Sequence, residues 1–207
     1  MKTVIIEYGS GNANSLKNAF SRLGESSLYT SNSKDIEAAD RIILPGIGHH
    51  GSTMHALKNS RLLDTLNYQV TVLHKPILGI CLGMQLMTDY SEEGNSKGFG
   101  WVNSTTKKIA PNNTKAFKVP HVGWNLIRCS GNSDLLSGIP LDQEPFYFCN
   151  SYAIASVQSQ VKFSTYTYDK NYVAHFEDNN IFGVQFHPEK SHSWGNTLLQ
   201  NFLKLKN

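Results

Sequence analysis

Paired cysteines are missing from this 207-residue sequence, which contains only Cys81, Cys129 and Cys149. An odd number at wide spacings, with no C-x-x-C pair, excludes a disulfide framework and argues against a zinc site. We therefore expect reduced thiols in a cytoplasmic protein that uses no metal and no cofactor. For Cys129 and Cys149, the simplest role is that of a small buried hydrophobic side chain.

Charge of one sign and long apolar runs are also scarce. The formal net charge is only +3, and the basic residues are scattered rather than aligned in the stripe that binds nucleic acid. The first residues combine one lysine with a short apolar run that ends in an acid, which fits neither a signal peptide nor a membrane span. We expect no nucleic-acid and no membrane partner. Because no linker, repeat or charge run divides the chain, residues 1–207 are predicted to form one domain.

The first half of the sequence alternates short β-branched runs with amphipathic stretches. Strands are predicted at 3–9, 26–30, 41–46 and 76–80, and helices at 15–24, 35–40, 52–74 and 82–90. Strands that alternate with helices are typical of a parallel sheet covered on both faces.

The second half, from about residue 98, is rich in short runs of Val, Phe, Tyr and Trp. These runs predict antiparallel strands, including one at 115–119, with a tight turn at 178–180. A final helix at 196–205 presents one apolar face and is predicted to close the domain.

The segment 76-PILGICLGMQLM-87 places a cysteine at the apex of a predicted strand-to-helix turn. Gly79 and Gly83 lie two residues before and after Cys81, where they relieve the crowding of a sharp corner. This is the G-x-nucleophile-x-G elbow of hydrolases with cysteine in place of serine. A thiol at a helix N-terminus has a larger thiolate fraction, and the backbone N–H of Leu82 can face a developing oxyanion.

A thiolate nucleophile needs a base, and eight histidines are available. In 183-GVQFHPEKS-191 an apolar strand ends at His187, and Glu189 follows two residues later, where its carboxylate can orient the imidazole. His121 and His175 are weaker candidates, judged to lack an adjacent acid at a useful spacing. The sequence therefore predicts a Cys81, His187 and Glu189 triad.

These residues resemble the class I, or triad-type, glutamine amidotransferases, which carry a G-x-C-x-G elbow and a late H-P-E. More narrowly, the whole chain resembles the glutaminase subunit of imidazole glycerol phosphate synthase. The matching segments are EYGSGN at 7–12, LPGIG at 44–48, GICLGMQLM at 79–87, SEEG at 91–94, GFGWV at 98–102, PHVGWN at 120–125, FYFCNSY at 146–152, GVQFHPEKS at 183–191 and LLQNFL at 198–203. The resemblance implies a flavodoxin-like α/β fold with a central mixed, mostly parallel sheet flanked by helices, and antiparallel strands in the C-terminal half.

The resemblance also implies a reaction and a set of site residues. Cys81 would form a thioester with L-glutamine and release ammonia and then glutamate, with His187 as general base and acid and Glu189 as its orienting carboxylate. Oxyanion and glutamine binding would fall to Gly46, Ile47, Gly48, Leu82, Gln85, Ser151 and Tyr152.

In the family the ammonia passes to a (β/α)8 cyclase subunit that makes imidazole glycerol phosphate and an aminoimidazole carboxamide ribotide in histidine biosynthesis. The resemblance implies such a heterodimer, with contact or coupling residues at Asn12, Trp124, Tyr147 and Lys190.

Five residues depart from the family pattern: Glu7, His49, His50, Cys149 and Asn150. They leave the triad intact but leave open a paralogous subunit that supplies ammonia for amidating a surface-polysaccharide sugar. Alternatives from other classes are a peptidase-type cysteine hydrolase and a catalytically silent binding subunit. Histidine biosynthesis is the favoured interpretation.

Overall fold

A computed structural model describes residues 1–9, 13–129, 131–158 and 160–205 as an α/β structure built on one eight-stranded sheet. Its strands are β1 Thr3–Ile6, β2 Ser27–Thr30, β3 Arg41–Leu44, β4 Ile77–Ile80, β5 Thr88–Ser91, β6 Ser96–Lys97, β7 Val102–Lys108, β8 His121–Asn125, β9 Ile127–Cys129, β10 Phe146–Asn150, β11 Tyr152–Ile154, β12 Lys162–Tyr168, β13 Lys170–Asp178 and β14 Ile181–Val184. Its α-helices are α1 Ala13–Arg22, α2 Ser33–Glu37, α3 His50–Asn59, α4 Leu62–Asn67, α5 Leu82–Leu86 and α6 His192–Lys204. A π-helical turn spans Tyr68–Val72 and a 3-10 turn spans Pro188–Lys190.

The large sheet has the strand order β2-β1-β3-β4-β14-β13-β12-β9. The first five strands are parallel, and the remaining three continue the sheet in antiparallel fashion. Two smaller sheets, β11-β7-β5-β6 and β10-β8, lie beside it. The predicted mixed, mostly parallel central sheet with antiparallel strands in the C-terminal half is therefore confirmed.

Helices cover both faces of the parallel strands, and the four inner strands β1, β3, β4 and β14 are buried along their whole length. One core cluster joins the sheet to α1 and α6, through residues such as Phe20 and Phe202. The opposite cluster joins it to α2, α3, α4 and α5, through residues such as Ile36, Leu57 and Met84. In the part of the chain that the structure describes, no helix is long and apolar enough to cross a membrane.

Three predicted elements differ from the structure. The helix predicted at 82–90 ends at Leu86, because backbone N–H groups of residues 99–102 bind the carbonyls of residues 86–88 and direct Thr88–Ser91 into strand β5. The helix predicted at 52–74 is interrupted at Arg61, which has a φ of 60°. The predicted strand at 115–119 is a turn region, whereas the turn at 178–180 is confirmed as the β13–β14 hairpin.

Packing is very tight at Gly83, where α5 crosses the end of β3. A Cβ atom on Gly83 would collide with the backbone carbonyl oxygen of Leu44 and approach that of Pro45 to 3.2 Å. A backbone obstacle cannot rotate away as a side chain does. Helix α5 and the segment after β3 therefore depend on glycine at this position.

We expect Gly83→Ala to lower the free energy of unfolding by about 1–3 kcal/mol through overpacking. The matched control is Gly131→Ala, since a Cβ there meets no atom within 4 Å, and it is expected to stay within about 0.5 kcal/mol. Urea unfolding followed by circular dichroism measures both. Equal stabilities of the two variants would contradict the packing argument.

Candidate active site

The predicted triad lies at the carboxyl ends of two neighbouring parallel strands. Cys81 follows β4 and His187 lies three residues beyond β14, and the strands are in register with Ile80 beside Val184. The backbone N–H of Cys81 donates to the carbonyl of Val184 at 2.7 Å. Ligands of open α/β sheets bind at this edge of the sheet.

Cys81 adopts the strained backbone conformation expected of an elbow, with φ 54° and ψ −107°. A Cβ atom on Gly79 would lie 2.7 Å from backbone atoms of Gly83 and Met84, so glycine is required on both sides of the turn. Such strain in a non-glycine residue persists only where the surrounding structure imposes it, and it concentrates at functional sites. Leu82 is the first residue of α5, so its N–H has no acceptor within the helix.

His187 and Glu189 form a buried pair beside the cysteine. The 3-10 turn that begins at Pro188 brings Oε1 of Glu189 to 2.8 Å from Nδ1 of His187, which leaves Nε2 for Cys81. The backbone N–H of His187 donates to the carbonyl of Tyr147 at 2.8 Å, and this bond holds the histidine against β10. Burial alone lowers the pKa of His187, but Cys81 and Glu189 together raise it to about 10 and so favour the imidazolium.

A cavity of about 310 Å³ opens beside the cysteine. Seven residues predicted from the sequence line it: Cys81, Ile47, Gly48, Leu82, Gln85, Ser151 and Tyr152. Gly46 does not line it but lies beneath, where a Cβ atom would be 2.5 Å from the Cβ of Leu82. The predicted oxyanion and substrate residues therefore come together at one place, with Gly46 supporting the wall.

Four further residues line the cavity, and two of them are departures from the family pattern. They are Glu93, Pro120, Cys149 and Asn150. In the sequence, SEEG at 91–94 is a point of resemblance only, and no role is predicted there for Glu93. A carboxylate on the turn after β5 is a local signal, but its approach to Cys81 depends on how the small sheet packs, which no spacing in the sequence reveals.

His50 links that carboxylate to helix α3. Its backbone N–H donates to Oε2 of Glu93 at 2.9 Å, and its ring Nδ1 lies 2.6 Å from Oγ of Ser96. His49 precedes the helix, and its ring accepts from the N–H of Ser52 at 3.3 Å. Both histidines therefore stabilise the start of α3, and His50 also positions Glu93 at the cavity.

The judgement that His175 lacks a suitably spaced acid is wrong. Glu177 follows at i+2, and its Oε1 lies 3.0 Å from Nε2 of His175. The same carboxylate accepts from Ser133 Oγ at 2.5 Å and from the N–H of Leu135 at 2.8 Å, so the pair anchors the loop at 133–136. Neither residue lines the cavity at Cys81. His175 lies within strand β13, whereas His187 lies beyond the end of β14, at the edge of the sheet where Cys81 is found.

The predicted partner-facing residues form one aromatic cluster above the triad. The rings of Trp124 and Tyr147 meet edge to face at 5.7 Å, and Nζ of Lys190 lies 5.4 Å from the centre of the Tyr147 ring. The Tyr147 ring lies 6.4 Å from the His187 ring, and Trp124 stacks on His192 at 4.9 Å. Asn12, the fourth predicted residue, lies outside the described part of the chain.

All three cysteines are free. Cys81 is buried at the elbow, whereas Cys149 is exposed and Cys129 is half-buried. The prediction that Cys149 is a buried hydrophobic residue is therefore wrong, because its position on β10 faces away from the core.

Comparison with known proteins agrees with the fold and the site. The class-I glutamine amidotransferase family model matches residues 4–205. A solved structure described as a glutamine amidotransferase superposes with a TM-score of 0.75, covering 97% of each chain at 15% identity. The structure of PurLQS from Thermotoga maritima gives 0.74 at 17% identity, covering 98% of this chain and 97% of that one. The chain belongs to the class-I glutamine amidotransferases, and it is an enzyme of that class.

Curated relatives narrow the assignment. Imidazole glycerol phosphate synthase subunit HisH 2 of Methanococcus maripaludis is 40% identical over 97% of this chain and 98% of its own length. HisH of Bacteroides fragilis is 40% identical over 99% of this chain and all of its own, and HisH 2 of Pseudomonas aeruginosa is 38% identical over 98% of each. Within the class, the chain belongs to the HisH family.

Stability is expected to depend on pH through His50. Burial lowers the pKa of His50 from 6.5 to about 4, so the folded protein keeps it neutral where the unfolded chain protonates it. The free energy of unfolding therefore decreases as the pH falls below the pKa that His50 has in the unfolded chain. At about pH 5 the loss due to His50 is about 2 kcal/mol. His50→Asn retains a polar group near Ser96 but does not titrate.

Chemical unfolding at about pH 7.5 and at about pH 5 measures how much His50 contributes to the pH dependence of the free energy of unfolding. The His50→Asn variant should lose about 2 kcal/mol less than the parent between the two conditions. His55→Asn, the same substitution at an exposed position of α3, is the control. An unchanged pH dependence in His50→Asn would show that His50 is not neutral by burial.

Proposed function

We propose that Cys81, His187 and Glu189 hydrolyse the side-chain amide of L-glutamine. The observation that carries the proposal is a strained cysteine and a buried histidine–glutamate pair at adjoining strand ends, beside a cavity lined by Leu82 and Gln85. The imidazolium favoured at His187 matches a Cys81 thiolate, which is the nucleophilic form.

The chemistry follows from these positions. The sulfur of Cys81 attacks the amide carbon, and the developing oxyanion takes hydrogen bonds from the N–H of Leu82 and from the backbone of residues 46–48. His187 gives a proton to the leaving nitrogen, and ammonia departs as the C–N bond breaks. Water then attacks the thioester, gives its proton to His187, and releases glutamate with the thiolate restored. Glu189 holds the imidazole in orientation throughout.

Recognition of free glutamine, rather than of a peptide, is supported by Glu93. Its carboxylate lies at the cavity and is held there by the N–H of His50. An α-ammonium group needs a carboxylate partner when it is taken from water, and a peptide nitrogen does not. Gln85 and the backbone of Ser151 and Tyr152 complete the polar lining, so we assign the cavity to the free amino acid.

A glutaminase that passes ammonia to an acceptor protein needs a docking face, and strand β8 with the residues on either side of it offers one. Of the ten large hydrophobic side chains exposed among the described residues, four lie at 119–126: Val119, Val122, Trp124 and Leu126. Trp124 is 46% exposed and sits over Tyr147. Apolar and aromatic residues clustered in this way are typical of protein interfaces.

We propose that this face binds a (β/α)8 cyclase subunit, because the curated relatives are named as subunits of imidazole glycerol phosphate synthase. Ammonia released at Cys81 would then enter the synthesis of imidazole glycerol phosphate and the aminoimidazole carboxamide ribotide in histidine biosynthesis. The alternative is that the ammonia is used to amidate a polysaccharide sugar. The two functions differ in the acceptor molecule that gains the nitrogen.

The first test is glutamate release from glutamine by the chain mixed with the organism's own cyclase subunit. Cys81→Ala should abolish release, since it removes the attacking atom, whereas Cys129→Ala should retain it because Cys129 lies outside the cavity. Amide-15N glutamine reports where the nitrogen goes. Glutamate release by Cys81→Ala at the parent rate would exclude a thioester on Cys81. If the parent released glutamate but transferred no 15N to the acceptor of the cyclase subunit, the glutaminase function would stand and the role in histidine biosynthesis would be excluded.

The second test concerns the docking face. Trp124→Ala should raise the Kd for the cyclase by about tenfold to hundredfold, because exposed tryptophans that are buried on binding dominate interface energies. Tyr68→Ala is the matched control, as Tyr68 is 54% exposed on the π-helical turn, outside this face. Isothermal titration calorimetry gives both values, and an equal Kd for both variants would place the interface elsewhere.

A further inference from the structure

Gln185 is a buried polar residue within the GVQFHPEKS segment, and neither the resemblance nor the triad assigns it a role. It lies just beyond β14 and two residues before His187, and its backbone N–H extends the ladder to the carbonyl of Ala174 at 2.8 Å. The residue is fully buried. Burying a side-chain amide costs free energy unless its oxygen and its NH2 group are both hydrogen-bonded. The hydrogen-bond partners of Gln185 therefore indicate its role.

The partners form a chain of hydrogen bonds that ends at the cysteine. Nε2 of Gln85 donates to the carbonyl of Tyr152 at 2.8 Å and to Oε1 of Gln185 at 2.9 Å. Nε2 of Gln185 then lies 3.5 Å from Sγ of Cys81. This is an ordinary length for a bond to sulfur.

The direction of the chain is set by chemistry. A backbone carbonyl only accepts, so the amide nitrogen of Gln85 has to face Tyr152. Its second hydrogen then points at Gln185, which has to present its oxygen there. The remaining end of Gln185 is therefore the NH2 group, and it is directed at the sulfur.

From this geometry we infer that Gln185 is a further catalytic residue, which donates a hydrogen bond to the Cys81 sulfur and stabilises the thiolate. A donor to the ionised form of a group favours ionisation. The inference rests on the proposed glutaminase function, because the thiolate is the nucleophile of that reaction. Gln185 does not line the cavity, so it acts on the sulfur rather than on glutamine binding.

The test is the pH dependence of Cys81 alkylation by iodoacetamide in the whole chain, with each cysteine followed by mass spectrometry of its own peptide. Gln185→Met keeps the length and the apolar packing but removes both the donor to Cys81 and the acceptor for Gln85. Its alkylation profile should move up by about one pH unit, and labelling on the acidic limb of the profile should fall about tenfold. Gln69→Met is the matched control, because Gln69 is an equally buried glutamine on the π-helical turn.

The groups that face Cys81 and titrate are unchanged in the variant. They are His187 after β14, Tyr166 on β12, and three residues that line the cavity, Glu93, Cys149 and Tyr152. A shifted profile in Gln185→Met with an unshifted one in Gln69→Met would support the donor. In glutamine hydrolysis with the cyclase subunit, kcat should then fall about tenfold while KM changes less than about twofold.

An unshifted alkylation profile in a folded Gln185→Met variant would overturn the inference. Should that variant fail to fold by circular dichroism, Gln185→Leu serves the same purpose and is judged by the same profile. Failure of the parent protein to hydrolyse glutamine would instead refute the proposed function, because alkylation measures the thiolate without any substrate. The two failures are therefore distinguishable.

Discussion

The parallel pairing of β4 with β14 is the contact on which the site depends. The strands come from distant parts of the chain, and their register places Ile80 beside Val184 so that the next residues of each reach the same edge. The hydrogen bond from the N–H of Cys81 to the Val184 carbonyl closes this pairing at the elbow. A shift of one residue would turn His187 to the other face of the sheet and separate it from the sulfur. The two core clusters hold the register from both sides.

Local patterns in the sequence predict much of this arrangement. The elbow and the histidine with an acid two residues later are encoded within short windows and are found where the pattern places them. The alternation of strands and helices in the first half is found as well, although the helix predicted at 82–90 ends early and the one predicted at 52–74 is interrupted at Arg61. The cavity residues are predicted by the family resemblance alone, and they converge because the fold brings the segments after β3, β4 and β10 to one edge.

Other features depend on contacts that no window contains. Helix α5 is short because backbone N–H groups of the segment at 99–102 bind the carbonyls of residues 86–88. The sequence LGMQLMTDY does not indicate that these carbonyls have partners outside the helix. Glu93 reaches the cavity through the packing of the small sheet and through His50. The pairs His175–Glu177 and His187–Glu189 have the same spacing, yet only the second stands at a strand end beside Cys81. Spacing identifies chemically competent pairs, and tertiary position selects among them.

Strand β10 touches both members of the reacting pair. The carbonyl of Cys149 lies 3.8 Å from Sγ of Cys81, and the carbonyl of Tyr147 binds the N–H of His187 at 2.8 Å. The Tyr147 ring belongs to the exposed aromatic cluster with Trp124. Any sliding or tilting of this strand changes the surroundings of sulfur and imidazole together. Strand β10 thus connects the exposed Trp124–Tyr147 cluster to the active site. A contact that displaces this strand from outside would change the positions of the Cys81 sulfur and the His187 imidazole together.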